Sequence, residues 1–312
     1  MVHASTSANS QLAQVVFRPP RSTGVAIGLA IAVGTLAFAL VALRTAANGG
    51  TEFKTFLAWL TAALLLVVAA AFVNWTHGIA TMAYVIDGDA LVIRWGFRRV
   101  EIPIDTILRL VPGRTLDPAH IRGINWPGCH IGHAEVKRIG YTLFYSTHRM
   151  QSDLVIVHTT QESYALSLVD QAGLAEEIQS RTVLGSLESH PQRSAASGIA
   201  ALPFWRDGHA ISATLLAVFG AVLTCGFVMY RYPGLPEIIE LTFPASGGLA
   251  VVGEKSELLK IVYLGAAISA VNIAVGVALH ARERAAGLWA FASAALLQGV
   301  LFAAAVAAIE RA

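Results

Sequence analysis

The sequence predicts a membrane all-α fold of about five transmembrane helices, with a soluble β-rich domain inserted between the second and third helices and closed by one helix of its own. Three observations carry this expectation. Five apolar stretches, Gly24–Leu43, Phe56–Trp75, His209–Tyr230, Leu259–Ala281 and Ala286–Ile309, each reach the roughly 20 residues an α-helix needs to span a ~30 Å hydrocarbon core. The chain is 55% apolar and 13% charged, against roughly 25% charged in an ordinary soluble domain, so most of it must face lipid or other helices. From Met82 the hydrophobic period switches from that of a helix to the alternation of strands.

Composition excludes several classes. The net charge of +2 is uninformative, and the basic residues form no run of five or more, so the electrostatic footprint of nucleic-acid binding is missing. Cys129 lies in the soluble part and Cys225 in the third apolar stretch. A pair divided between water and membrane predicts no disulfide. Arg18 and Arg21 precede the first apolar stretch as in a signal peptide. Its core is about 20 residues rather than about 7–15, and Arg44 stands where a small-residue cleavage site should be, so an uncleaved helix is expected.

Residues 1–22 are polar, lack acids and end in Arg18-Pro19-Pro20-Arg21, the composition of a disordered cytoplasmic tail. Residues 23–75 form a two-helix hairpin, because Ala46–Lys54 is too short for any but an antiparallel return. A soluble domain over 80–185 opens with Ala83–Ile86 and Leu91–Trp95 around Asp87-Gly88-Asp89, a β-hairpin signal. Further strands are expected at Phe97–Ile104, Gly140–Ser146, Asp153–Thr159 and Ser163–Leu168. The closing helix, Asp170–Arg181, has Asp170 as its N-cap and Leu174 and Ile178 on one face. Proline and glycine are so dense between Val111 and Glu135 that a long loop is expected there. Residues 186–207 read as a linker, and 208–310 as a three-helix transmembrane module. No internal repeat is visible.

The segment Tyr84-Val85-Ile86-x-Gly88-x-x-Leu91-Val92-Ile93-Arg94-x-Gly96, followed by Ile102-Pro103-x-x-x-Ile107, resembles bacterial pleckstrin-homology (PH) domain membrane proteins. Trp126-Pro127-Gly128-x-x-Ile131-Gly132, Tyr141 to Tyr145, Leu154-Val155-Ile156 and Tyr164-Ala165-Leu166-Ser167 extend the resemblance to about residue 180. It implies a PH-like β-barrel capped by the closing helix, and a bacterial inner-membrane location. The C-terminal third looks like the short-loop helical module of bacteriocin-immunity-type membrane proteins, through Leu235-Pro236, Gly253-x-Lys255 and Asn272. It departs from that family at Leu241-Thr242-Phe243. Neither resemblance implies an enzymatic activity or a cofactor.

Candidate sites are few. Cys129, His130 and His133, with His120 nearby, have metal-ligand chemistry, but adjacent ligands close poorly around one ion, and solvated loop histidines are the preferred reading. Cys129 as a nucleophile has only sequence proximity to His130. Glu176 and Glu177 read as a solvated helix face. Asp87-Gly88-Asp89 would repel a phosphoinositide at the first hairpin. Trp95, Phe97, Arg98 and Arg99 pair aromatic rings with cations as juxtamembrane segments do when they touch anionic lipid; an ordinary turn with a packed aromatic is the plainer reading. Trp126, in the expected long loop, is the candidate anchor for a protein partner, the alternative being that it packs into the domain. Within the membrane, Asn272 and Gln298 are expected to meet in a hydrogen bond across the last hairpin.

These observations favour a multi-pass membrane protein whose cytoplasmic PH-like domain is a non-catalytic interaction or regulatory scaffold, with the lipid bilayer and an unidentified protein as partners. The rivals are a small-solute transporter or channel, opposed by the low intramembrane charge, and a membrane enzyme, opposed by the lack of a base, nucleophile and orienting group together. Arg18, Arg21, Arg282 and Arg284 fall on one side of five spans and favour that side as cytoplasmic, while Arg44, Lys54, Arg231, Lys255, Lys260 and Arg311 flank the other and nearly balance the basic count.

Overall fold

The computed structural model describes residues 14–115, 119–148, 153–184, 192–242 and 251–312. Most of the expected tail, Pro118 of the expected loop, the start of the linker and Phe243 lie outside these residues. The elements in chain order are β1 (Val15–Phe17), α1 (Ser22–Ala47), α2 (Phe53–Ala80), β2 (Ala83–Asp87), β3 (Ala90–Trp95), β4 (Arg98–Pro103), β5 (Ile107–Pro112), β6 (Arg122–Trp126), β7 (Cys129–Val136), β8 (Gly140–Ser146), β9 (Leu154–Thr159), β10 (Ser163–Ser167), α3 (Gln171–Leu184), β11 (Arg193–Ala196), α4 (Gly208–Arg231), β12 (Ile238–Thr242), β13 (Val251–Glu254), α5 (Glu257–His280) and α6 (Arg284–Glu310).

Five helices, α1, α2, α4, α5 and α6, are long and apolar enough to cross a membrane. Their side chains are largely turned outward: only 17–28% of each helix's apolar stretch is buried within the fold, and Leu29, Phe38, Val67, Phe219, Trp289 and Leu296 are among the exposed residues. Exposure of this much apolar helix surface is unfavourable in water and natural in lipid.

The chain divides into two compact units. The first comprises the described residues up to 35 together with 68–200. Its five-stranded sheet runs β1-β2-β3-β4-β11 and its six-stranded sheet β5-β9-β10-β8-β7-β6. All pairings are antiparallel except β10 with β8, which are parallel. The expected closed barrel is therefore corrected to two open sheets. The outer edge of β4 is taken by β11, through Arg193↔Glu101 to Ala196↔Arg98, so β4 has no free edge with which to continue into β5.

The sheets share a core of Tyr84, Ile86, Leu91, Ile93, Val100 and Ile102 from one and Ile131, Tyr145, Val155, Val157, Tyr164 and Leu166 from the other. Tyr84 fastens them. Its hydroxyl donates to the Tyr145 carbonyl at 2.6 Å and accepts from the Ser167 N–H at 3.2 Å, and burial pushes its pKa well up. Helix α3 adds Leu174 and Ile178, as its periodicity predicts. Asp170 caps it by accepting from the Gly173 N–H at 2.8 Å. Arg181, held by Glu177 at 2.7 Å, donates to the Gly88 carbonyl at 3.0 Å and so fixes the helix to the β2–β3 turn. Glu177 thus has a structural partner rather than a purely solvated role.

Four local expectations are overturned. Val15–Phe17 is strand rather than disordered tail, pairing with Tyr84–Ile86. Arg193–Ala196, expected in a linker, is strand β11. The expected loop from Val111 to Glu135 holds the β6–β7 hairpin and the end of β5. Glycine makes that hairpin possible instead of breaking it: Gly123 faces Gly132 across the pair, and a Cβ on either would strike the opposite backbone. The turn uses Gly128 at φ +85°, a conformation that favours glycine. Finally, α2 continues past Trp75 to Ala80.

The second unit comprises residues 36–67 and 201–312. Glycines admit close helix packing at several crossings, the small-residue logic of membrane helix pairs. Gly276 lies against the Phe291 ring, Gly220 against the Gln298 side chain and Gly226 against Phe56. The expected bond between Asn272 and Gln298 is not made. Asn272 Nδ2 reaches Ser293 Oγ at 3.5 Å, whereas Gln298 Nε2 donates to the Gly265 carbonyl at 2.9 Å and Ser269 Oγ at 2.7 Å. The antiparallel register sets Gln298 level with Gly265–Ser269, more than one ~5.4 Å turn from the Asn272 partner. At the start of α4, Asp207 caps the helix through the His209 N–H at 3.0 Å and accepts from Arg284 Nε at 2.6 Å, with His280 Nε2 at 3.5 Å.

Candidate functional site

The final turns of α2 and the inward rims of both sheets form the best-built site in the first unit. A two-residue loop, Gly96-Phe97, joins β3 to β4, with Gly96 at φ +55°. Its backbone approaches α2 so closely that the Gly96 N–H donates to Thr81 Oγ1 at 3.1 Å. The Trp95 indole lies on Gly78, and the His77 and Phe97 rings are 5.5 Å apart. Beside this clamp, Trp126 at the end of β6 packs with Phe72 at 5.3 Å and Trp75 at 5.8 Å between ring centroids. Trp95 Nε1 and Trp126 Nε1 are both buried and have no hydrogen-bond partner among the described residues.

Strand alternation decides which polar groups face this region. Residues 98, 100 and 102 share one face of β4; residues 122, 124 and 126 one face of β6; and residues 129, 131 and 133 one face of β7. Val100, Ile102, Cys129 and Ile131 lie in the core, with Ile124 and Trp126 packed against it. Arg98, Arg122 and His133 therefore stand on inward faces at the rim. They line a cavity of about 520 Å³ together with Asn74, Trp75 and Trp95, and no acidic side chain lines it. The Arg98 guanidinium lies 5.9 Å from the centre of the Trp95 ring, a cation–π contact. Arg122 and His133 are direct cross-strand partners.

The sequence-derived candidates separate accordingly. Trp95, Phe97 and Arg98 are brought together; Arg99 is on the other face of β4, paired with Glu101 at 2.7 Å. Trp126 is not at the centre of a free loop, as expected, but on a strand with its ring against α2. Cys129, His130 and His133 do not converge. The pleat puts Cys129 and His130 on opposite faces, with Cys129 in the core and His130 Nδ1 2.7 Å from Asn125 Oδ1. Burial raises the Cys129 thiol to about 12. No group of three or more metal-ligating side chains forms among the described residues. Asn74, Gly78, Thr81 and Arg122 are site residues that the sequence reading missed. The alternation Arg122-x-Ile124-x-Trp126 was a strand signal for the last of these, masked by the surrounding glycines and prolines.

Residues 82–182 match the family model of a bacterial PH domain. The match covers the two-sheet core from β2 to α3 and stops short of β11 and the C-terminal helices. No curated protein and no solved structure matches the chain.

Proposed function

We propose that this chain is a bacterial inner-membrane protein in which the PH-like unit serves as a non-catalytic interaction module, displayed on the cytoplasmic side. The observation that carries this reading is the clamp between the domain and α2: Gly96 to Thr81, Trp95 on Gly78 and Trp126 on Phe72 and Trp75. A domain fastened at three places to the last turns of a membrane-length helix is held beside the membrane, which suits recognition of another envelope component. The burial of Cys129 and its separation from His130 support a non-catalytic role, as a nucleophile needs an adjacent base. The packing of Gln298 against α5 supports a structural bundle over a transport path, because its amide is engaged by the neighbouring helix. The bacteriocin-immunity likeness of the last three helices rests on Leu235-Pro236, Gly253-x-Lys255 and Asn272 alone.

Reporter fusions after Leu184 and at Ala312 test the orientation, and an active periplasmic reporter at Leu184 would reverse it. The interaction role is tested by photo-crosslinking the full chain in membranes from the exposed positions Leu108, Tyr141 and Val169. A discrete crosslinked protein from one of them, absent from the others, is the expected result. No product from any of the three, with the protein folded and inserted, would argue against it. Trp126→Ala is expected to expose the soluble unit to protease, since it removes a packed ring worth roughly 3 kcal/mol. Retained protease resistance with loss of a crosslink would instead return Trp126 to the role of partner anchor.

A further inference from the structure

The geometry points to the Arg98–Arg122–His133 cavity as a site for a phosphate group, supplied by the headgroup of an anionic phospholipid. Its lining brings two guanidiniums and an imidazole to inward-facing positions with no carboxylate among the lining side chains. Arg122 and His133 sit directly opposite each other across β6 and β7, and the His133 ring stacks on Tyr141 with centroids 5.5 Å apart. Among the described residues Arg122 makes no ion pair, and the Arg98 guanidinium lies over the Trp95 ring. The Trp95 ring forms part of the cavity wall, while its buried Nε1 faces Gly78 of α2. Guanidiniums suit phosphate because they offer several N–H donors in a planar fork.

Position selects the lipid as the source. Asn74, Trp75 and Gly78 of α2 line the cavity, and Trp75 ends the helix's most apolar stretch, so the opening falls where a spanning helix passes from hydrocarbon to headgroups. Trp75, half-buried at the end of that stretch, is the interfacial aromatic residue expected at that level, and basic residues there attract anionic lipid. The cavity volume of about 520 Å³ accommodates a phosphoglycerol headgroup. The site is at the opposite end of β3 from the Asp87-Gly88-Asp89 turn, whose two carboxylates disfavour anions.

This inference rests on the membrane reading, which carbonate extraction of the full chain tests separately: release into the soluble fraction would remove that reading. For the site, the full chain is purified in neutral detergent, and its thermal unfolding and lipid retention in native mass spectra are measured with phosphatidylglycerol, phosphatidylcholine or inorganic phosphate. The expected result is stabilisation by phosphatidylglycerol, with little from the other two. Arg98→Gln/Arg122→Gln should weaken phosphatidylglycerol binding about tenfold, the change that 1.4 kcal/mol gives, while Arg98→Lys/Arg122→Lys recovers most of it. Near-UV circular dichroism verifies that the variants fold. An unchanged phosphatidylglycerol preference in the glutamine variant would overturn the site, and equal stabilisation by inorganic phosphate would overturn the lipid as its source.

Discussion

The indole of Trp95 rests on the backbone of Gly78, so closely that a Cβ at residue 78 would lie 2.5 Å from Trp95 Nε1. This glycine is the point at which the β3–β4 hairpin seats on α2. Gly78→Leu should therefore destabilise the first unit by about 1–3 kcal/mol through overpacking. Gly34→Ala in α1 has open space around it and should be neutral or stabilising by up to ~1 kcal/mol through helix propensity. Thermal unfolding followed by tryptophan fluorescence compares the two; equal effects would show that Trp95 does not depend on the glycine.

Gln298 and Ser269 form the principal polar contact of the α5–α6 pair. A double-mutant cycle on Gln298→Leu and Ser269→Ala should give a coupling of roughly 0.5–2 kcal/mol, the range for hydrogen bonds between membrane helices. The same cycle on Gln298 and Asn272 should give none. Unfolding of the purified protein in detergent reads both, and the reverse pattern would contradict the register described here.

Cys129 should resist alkylation while the protein is folded. Its thiol is raised from 9.0 to about 12 by burial, so near pH 8 the thiolate is depleted by roughly a thousandfold, at tenfold per unit, and access is blocked as well. In a Cys225→Ser background, maleimide labelling at pH 8 should be at least about a hundredfold slower than in denaturant. The neutral thiol's contribution to stability is present below pH 9 and is lost as pH rises toward 12. Rapid native labelling would place Cys129 outside the core.

Asp207 ties the start of α4 to the α5–α6 turn. The Arg284 hydrogen bond, joined by the N–H groups that it caps, holds its carboxyl well below the usual carboxylate range. A depressed acid contributes stability that is present above its unfolded pKa, about 4, and is lost as pH falls. Asp207→Asn should keep the cap but lose the ion pair, lowering the melting temperature at pH 7. The gap between wild type and variant should narrow progressively below pH 4. A gap that is independent of pH would show that charge is not what Asp207 supplies.

Much of this architecture is legible in the sequence alone, and the reason is that it is written locally. Each span is a continuous apolar run whose length answers to bilayer thickness, and α1, α2, α4, α5 and α6 fall where those runs lie. The strands β2, β3 and β4 follow from β-branched alternation around Gly88 and Gly96, and α3 from the spacing of Leu174 and Ile178. Residues 82–182 likewise carry enough PH-domain pattern to be matched.

What the tertiary structure decided depends on partners far away in the chain. Whether Gly123 and Gly132 break a strand or build one turns on their facing each other across a hairpin, which no single window of sequence contains. Val15–Phe17 and Arg193–Ala196 are too short to read as strands until β2 and β4 offer them edges. Closure of the sheets fails because β11 occupies the edge a barrel would need. Arg98, Arg122 and His133 are unremarkable apart; only the pleat and the pairing of separate strands turn them toward one cavity. The sequence by itself thus determined which segments are apolar enough for lipid and which alternate as strands, because both are properties of neighbours in the chain. The site was left to the fold, because convergence of side chains is a property of neighbours in space.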